Sequence, residues 1–286
     1  MKPAPFNYHR PKTLAEAARL LTDTALEDGR ILAGGQSLAP ILAFRMTKPG
    51  HLIDINEVEG LDLFKVENGL LRIGARVRHA MFRKGAIEGP TGALLAYVMK
   101  HIAHYPIRTR GTFCGSLAHA DPASEWCAIA AFLDARLIAH SVRGTREIPV
   151  ADYFQSVMTT ALEADEILIE ARMPLLPQDT HWGFVEFSRR AGDYALGMAM
   201  TSFKIEAGLI ADPRFAIGAT ESFPRRLADV EAALAGAPPT QDTWRKAAEV
   251  AAQSVDPLED HVTSADYRRD LLKSLAHRAL VQASKS

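Results

Sequence analysis

The sequence predicts an α+β chain built in three parts. Three observations carry the prediction. Helix and strand signals alternate over residues 13–55. A second mixed segment runs to a proline-marked boundary near Pro174–Pro177, and a tail follows in which three strand patterns precede three helical ones. With 286 residues the chain has the length of about two domains, enough to bury substantial cores.

The elements follow in order. Thr13-Leu14-Ala15-Glu16 is a capping box, and Leu14, Ala17, Ala18 and Leu21 continue it at helical spacing. Arg30–Ala33 reads as a buried strand feeding the Gly34-Gly35 turn, and Ser37 is placed to cap a short helix through Met46. Pro49-Gly50 breaks it, and His51–Ile55 is the next strand. Leu70–Ala75 opens the second part as a strand, and Thr91–Ala103 is helical with Leu94, Leu95, Val98 and Ile102 on one side. Residues 107–122 read as irregular. Pro122 then suits the first position of a helix capped by Asp121, with Trp126, Cys127, Ala130 and Leu133 inward. Arg136–His140 and Thr145–Val150 form a hairpin around Arg143-Gly144, Val150–Leu162 reads as helix, and Ile167–Arg172 is a strand ended by Pro174. In the tail, Gly183–Arg189, Gly197–Glu206 and Leu209–Gly218 are strands, the last two joined at Ala207-Gly208. Helices follow near 225–236, 241–254 and 264–283.

Composition narrows the function. Apolar residues make up 48% and charged residues 23%, which excludes disorder, coiled coil and collagen-like repeats. Lys plus Arg is 33 against 34 for Asp plus Glu, so the net charge of −1 lacks the basic excess of a nucleic-acid binder. The N-terminus has no signal-peptide core, and no apolar run approaches the roughly 18 residues of a membrane span, so the expected compartment is the cytoplasm. The 2 cysteines, Cys114 and Cys127, make no CxxC pair, zinc site or disulfide framework. An iron–sulfur cluster takes about four cysteines, so this chain does not hold one alone.

Two loops could carry chemistry. Leu32-Ala33-Gly34-Gly35-Gln36-Ser37-Leu38 lies between a strand and a helix, where adjacent glycines let consecutive N–H groups form an anion nest suited to a pyrophosphate. A purely structural Gly-Gly turn is the competing reading. It is neither a Walker A loop nor a GxGxxG fingerprint. Arg110-Gly111-Thr112-Phe113-Cys114-Gly115-Ser116 offers a second set of N–H groups and two hydroxyls. Asp121 beyond it either holds a ribose hydroxyl or caps its helix. Two such loops suggest an extended diphosphate ligand gripped from both sides. His101, His104 and His119 lack convincing metal spacing, and Cys114 reads as a small buried residue rather than a reactive thiol. Arg189-Arg190 with Asp193-Tyr194 is either a salt-bridged turn or a cation and a phenol beside a redox-active ring. No nucleophile elbow, HExxH or Ser/His/Asp order occurs.

Four segments carry a resemblance. They are Phe6–Ala18; Ala33–Ser37; Ile107–Glu125, with Thr112-Phe113-Cys114-Gly115-Ser116 and Asp121 at its centre; and Phe187–Ala195, with Arg190 and Tyr194. In this order they resemble the medium, FAD-binding subunit of the molybdenum hydroxylases, the group of aerobic carbon monoxide dehydrogenases and xanthine dehydrogenases. The resemblance spans essentially the whole chain. It implies a two-subdomain FAD-binding fold of the vanillyl-alcohol-oxidase/carbon-monoxide-dehydrogenase flavoprotein type, divided 1–57 and 58–176. A C-terminal flavoprotein domain, a three-stranded sheet with helices, takes up 177–286. It also implies that the Leu32–Leu38 loop binds the FAD diphosphate through backbone groups, with no side-chain role for Gln36. Ile107 and Thr112–Ser116 hold FAD from the second side, and Asp121 takes a ribose hydroxyl. The Ile167-Leu168 region lies against the isoalloxazine ring, with Arg190 and Tyr194 near it. Relatives commonly carry Asn in place of Thr109 and Ile-Gly in place of Phe113-Cys114. If that glycine needs a positive φ, Cys114 costs about 1 kcal/mol or more.

The function implied is an FAD-dependent oxidoreductase subunit. It would pass electrons from the [2Fe-2S] clusters of a small partner to an external acceptor, while a large molybdopterin-binding partner oxidises the substrate, within a dimer of heterotrimers. No metal is expected on this chain. Two competitors stand beside it. A self-sufficient FAD oxidase or reductase would turn over an organic substrate alone. A non-catalytic nucleotide-binding protein would carry no redox-active chromophore.

Overall fold

The computed structural model describes residues 2–261 and 263–286. The chain begins with strand β1 (Asn7–His9), helix α1 (Leu14–Asp23), β2 (Gly29–Leu32), α2 (Leu38–Ala43) and β3 (His51–Asp54). The three strands form a parallel sheet in the order β1-β3-β2. Thr13 caps α1 by accepting from the Glu16 N–H at 3.2 Å, and the Glu16 carboxylate reaches back to the Lys12 N–H at 2.9 Å. Ala17, Ala18 and Leu21 form the buried stripe of α1. Strand β1 has no counterpart in the sequence reading, because Asn7, Tyr8 and His9 show no apolar alternation. Ser37 occupies the N-cap position of α2, but its hydroxyl makes no capping bond.

The middle part comprises β4 (Phe64–Glu67), β5 (Leu70–Gly74), α3 (Gly89–Val98), α4 (Tyr105–Arg108), α5 (Phe113–His119), α6 (Glu125–Phe132), β6 (Arg136–Ser141), β7 (Gly144–Pro149), α7 (Val150–Tyr153), β8 (Phe154–Ser156), β9 (Thr159–Thr160) and β10 (Ile167–Pro174). Its antiparallel sheet has the order β4-β5-β10-β6-β7, and β8 and β9 form a small separate hairpin.

Several local expectations change here. The helix expected over Thr91–Ala103 ends at Val98, where Ala103 takes a positive φ of 42° and Pro106 follows. The segment expected to be irregular contains α4 and α5. The next helix starts at Glu125 with Ser124 as N-cap, so Asp121 does not cap it. Asp121 instead accepts the Ala123 N–H at 2.9 Å in a turn. Only Val150–Tyr153 of the expected 150–162 helix is helical. The rest is the β8–β9 hairpin, turned at Met158 with φ 51°.

The C-terminal part has β11 (His181–Phe187), β12 (Gly197–Glu206), β13 (Leu209–Gly218), β14 (Arg225–Arg226), α8 (Ala228–Leu234), α9 (Gln241–Gln253) and α10 (Ala265–Ala283). The sheet is antiparallel in the order β11-β12-β13-β14, so the three expected strands gain a fourth of two residues. Helix α10 lays Leu272, Leu275, Ala276, Ala279, Leu280 and Ala283 against the sheet.

Two cores result. One buries Trp126, Phe82 and Phe113 in an aromatic cluster with ring centroids 4.7–5.5 Å apart, each pair adding about 0.5–1.5 kcal/mol beyond burial. The other buries Phe203, Phe215 and Trp244 between the C-terminal sheet and its helices. Helix α6 belongs to the first core and packs on β13 and β14, which joins the two halves. Among the described residues no helix is long and apolar enough to cross a membrane.

Candidate functional site

The two glycine loops meet. A Cβ on Gly34 would lie 2.3 Å from the Arg110 carbonyl oxygen and 2.7 Å from the Gly111 Cα, so only glycine allows this backbone approach. Gly35 turns the first loop at φ 72°. The N–H groups of Gly34, Gly35, Gln36 and Ser37 have no acceptor among the described residues, which leaves a nest of consecutive donors.

Polar side chains hold the loops in register. Asn56 Nδ2 donates to the Ala33 carbonyl at 2.7 Å and to Asp54 Oδ1 at 2.6 Å. Arg78 donates one guanidinium nitrogen to Asn56 Oδ1 and another to the Arg110 carbonyl. The His79 N–H donates to the Gly111 carbonyl at 3.0 Å. Arg76 and Arg110 crowd Arg78, and burial and then these charges lower the proton affinity of its guanidinium. The resulting basic surroundings suit an anion.

Beneath the loops lies a cavity of about 440 Å³. Ala33–Leu38 line one side, Thr112, Cys114, Gly115 and Ser116 the second, and Ile167 and Leu168 a third. The β8–β9 hairpin contributes Met158, Thr159 and Thr160 to the wall. Thr112 starts α5 by accepting the Gly115 N–H at 3.1 Å. Cys114 lies within the first turn of α5, at a negative φ, so the strain that a cysteine would meet at a left-handed position does not arise. Its thiol points to the Ile73 carbonyl at 3.5 Å, and burial holds it protonated. Phe113 is fully buried in the aromatic cluster and its N–H donates to Val77, so it supports the loop from behind.

Other expected site residues stand outside the cavity lining. Leu32 ends β2, and Ile107 sits in α4. Asp121 has its Oδ1 in the turn and its Oδ2 without a hydrogen bond among the described residues. Arg190 is exposed on the loop after β11, and the Asp193 N–H closes that turn on the Arg190 carbonyl at 3.1 Å, with no ion pair there among the described residues. Tyr194 on the same loop turns its hydroxyl toward the first glycine loop. Desolvation and the Asp121 charge push its phenol above the ordinary value, and the nearby Ser37 hydroxyl opposes them.

His101 pairs with Glu186 at 3.2 Å, and no metal-binding cluster occurs among the described residues. Asn56, Arg78, His79 and the β8–β9 hairpin were not expected from the sequence. Asn56 and Arg78-His79 lie in the short segments after β3 and β5, and their polar character there was the only local signal for them.

The residues fit FAD. Gly34 and Gly111 line the cavity, the four N–H groups of Gly34–Ser37 have no other partner among the described residues, and Leu168 offers an apolar wall for a flavin ring.

Comparison with known proteins agrees. Residues 4–176 match the model of the FAD binding domain in molybdopterin dehydrogenase, and residues 182–283 match the carbon monoxide dehydrogenase flavoprotein C-terminal domain. The chain is 35% identical to the nicotine 6-hydroxylase medium subunit of Paenarthrobacter nicotinovorans, over 99% of both chains. It is 30% identical to the carbon monoxide dehydrogenase medium chain of Hydrogenophaga pseudoflava, over 98% of this chain and 97% of that one. Among solved structures, quinoline 2-oxidoreductase from Pseudomonas putida 86 superposes with a TM-score of 0.93 at 36% identity, covering 100% of this chain and 99% of that chain. Carbon monoxide dehydrogenase from Hydrogenophaga pseudoflava superposes with a TM-score of 0.95 at 31% identity, with the same coverage.

Proposed function

The chain belongs to the FAD-binding subunits of the molybdenum hydroxylase family, and on that premise we propose that it is the medium, electron-transferring subunit of a three-component dehydrogenase. Bound FAD supplies the exchange between single-electron and paired transfer that links [2Fe-2S] clusters on a small partner to an external acceptor. Substrate oxidation then belongs to a large molybdopterin-binding partner. The assembly in this reading is a dimer of heterotrimers in the cytoplasm, and the chain divides into 1–57, 58–176 and 177–286.

Each group of residues has a task. Gly34–Ser37 bind the diphosphate through backbone N–H groups, with Leu32, Ala33 and Leu38 setting the loop between strand and helix. Thr112, Gly115 and Ser116 hold it from the opposite side, with Ile107, Phe113 and Cys114 shaping that wall. The free Oδ2 of Asp121 accepts from a ribose hydroxyl, and Leu168 excludes water from one face of the ring. Arg190 and Tyr194 come from the C-terminal part, where a cation and a phenol can tune the local charge.

The observation that carries this reading is the backbone contact of Gly34 with Arg110 and Gly111 above the cavity. The chain and a cluster-bearing small partner, purified together with FAD, provide the test. Bleaching of a flavin band near about 450 nm is expected only when the partner's clusters are reduced. Oxidation of an organic substrate by the chain alone would instead favour a self-sufficient FAD oxidase.

A further inference from the structure

Trp126 fixes the proton of His79. The indole Nε1 can only donate, and it lies 2.9 Å from His79 Nδ1. Nδ1 is therefore the acceptor, and the proton of the neutral ring is on Nε2. The ring is 4% exposed, and burial, with Arg78 and Arg108 opposing a further positive charge, pushes its pKa down to about 4. Phe82 and Phe113 pack against Trp126, with ring centroids 4.7 and 5.2 Å away.

The opposite edge of the imidazole faces the glycine loops. A Cβ at Gly111 would sit 2.4 Å from His79 Nε2, so the missing side chain leaves this edge uncovered. His79 and Gly111 both line the cavity. Nε2 has no hydrogen-bond partner among the described residues. Nε2 is not among the fully buried polar atoms left without a partner, so this donor opens to the cavity, where a ligand acceptor can reach it.

We propose that His79 is a cofactor-binding residue whose Nε2–H donates to an oxygen of FAD in the segment between the two glycine loops. This rests on the FAD reading above. Gly111 is then glycine because a Cβ there would strike the His79 ring at Nε2 and Cδ2. The donor is neutral, so it adds direction to the grip without adding charge to the Arg76–Arg78–Arg110 surroundings.

The test uses the full chain and FAD. Imidazole ¹⁵N spectra should show the Nε2–H tautomer without FAD, and a downfield shift of that proton when FAD is added. His79→Phe keeps a ring against Trp126 but removes the donor. The expected change is about a tenfold weaker Kd for FAD by flavin fluorescence, largely recovered by the amide N–H in His79→Gln. A folded His79→Phe chain with the wild-type Kd overturns the proposal, as does an Nε2 proton that FAD does not move. The wild-type spectra decide the matter if the variants do not fold. A wild-type chain that binds no FAD defeats the functional reading and this inference together, whereas tight binding with an unmoved Nε2 proton defeats only the inference.

Discussion

Arg78 grips Asn56, and through it ties together two loops far apart in sequence. One guanidinium nitrogen donates to Asn56 Oδ1 while Asn56 Nδ2 donates to the Ala33 carbonyl at 2.7 Å, and a second guanidinium nitrogen reaches the Arg110 carbonyl. The cradle thus depends on a side chain that belongs to neither loop. A lysine carries the charge but has one nitrogen, and cannot reach both acceptors in this geometry. Arg78→Lys and Asn56→Ala are each expected to weaken FAD binding about tenfold or more, about 1.4 kcal/mol, with the fold retained. Fluorescence titration with a circular dichroism control checks this.

Gly34 is the most sensitive single position. Its Cβ would meet the Arg110 oxygen at 2.3 Å, and that atom is main chain held by Arg78, so it cannot swing aside as a flexible side chain would. Gly34→Ala is expected to separate the loops and lower FAD affinity by more than about tenfold. Gly115→Ala is the comparison. There the Cβ meets the Thr112 hydroxyl at 2.5 Å, so the substitution disturbs only the α5 cap and weakens binding less.

Glu125 gives the chain a distinctive pH dependence. Burial first, then the charges of Glu186 and Asp121, push its carboxyl up from 4.5 to about 8. The folded chain therefore holds this proton more tightly than the unfolded chain does. Its contribution to stability is complete below pH 4.5 and is lost as pH rises to about 8. Glu125→Gln removes the titration. Melting curves of the chain without FAD should show the variant gaining on the wild type between pH 5 and pH 8, by at most about 1.4 kcal/mol per pH unit. A gap between the two that does not change with pH would contradict this origin.

Both thiols should be inert in the folded state. Cys114 and Cys127 are buried, and burial raises each above the ordinary thiol value. A colorimetric thiol reagent is expected to find no reactive cysteine in the native chain and both after denaturation. Rapid native labelling would mean that the α5–α6 region opens.

How much of this was legible in the sequence depends on the range of the interactions involved. The Gly34-Gly35 turn was readable because a short apolar strand and two glycines are a local signal. The Ala207-Gly208 hairpin was readable too, since both residues take the positive φ of a tight two-residue turn, at 50° and 79°. Asp121 was ambiguous for a physical reason. An aspartate before a proline can cap a helix or close a turn, and here the Ala123 N–H captured its oxygen, so the helix waited for Ser124. The β8–β9 hairpin reads as helix in the sequence because Val150–Tyr153 does begin one, whereas the chain turns at Met158, whose N–H donates to the carbonyl of Ala120, distant in sequence, at 3.1 Å. Strand β1 exists through its pairing with β3, which its own residues do not announce. Arg78 and His79 were invisible because their partners Asn56, Arg110 and Trp126 are distant in sequence.

The central claim is that the two glycine loops grip the diphosphate of FAD, and ligand discrimination tests it most directly. Calorimetric titration of the full chain with FAD and with riboflavin, which lacks both the diphosphate and the adenosine beyond it, separates the grip on that half of the molecule from burial of the ring. The expected result is one FAD bound per chain, with riboflavin at least about 100-fold weaker, about 2.7 kcal/mol. Equal affinity for the two ligands would contradict it and would place the binding energy on the Leu168 wall instead of the loops.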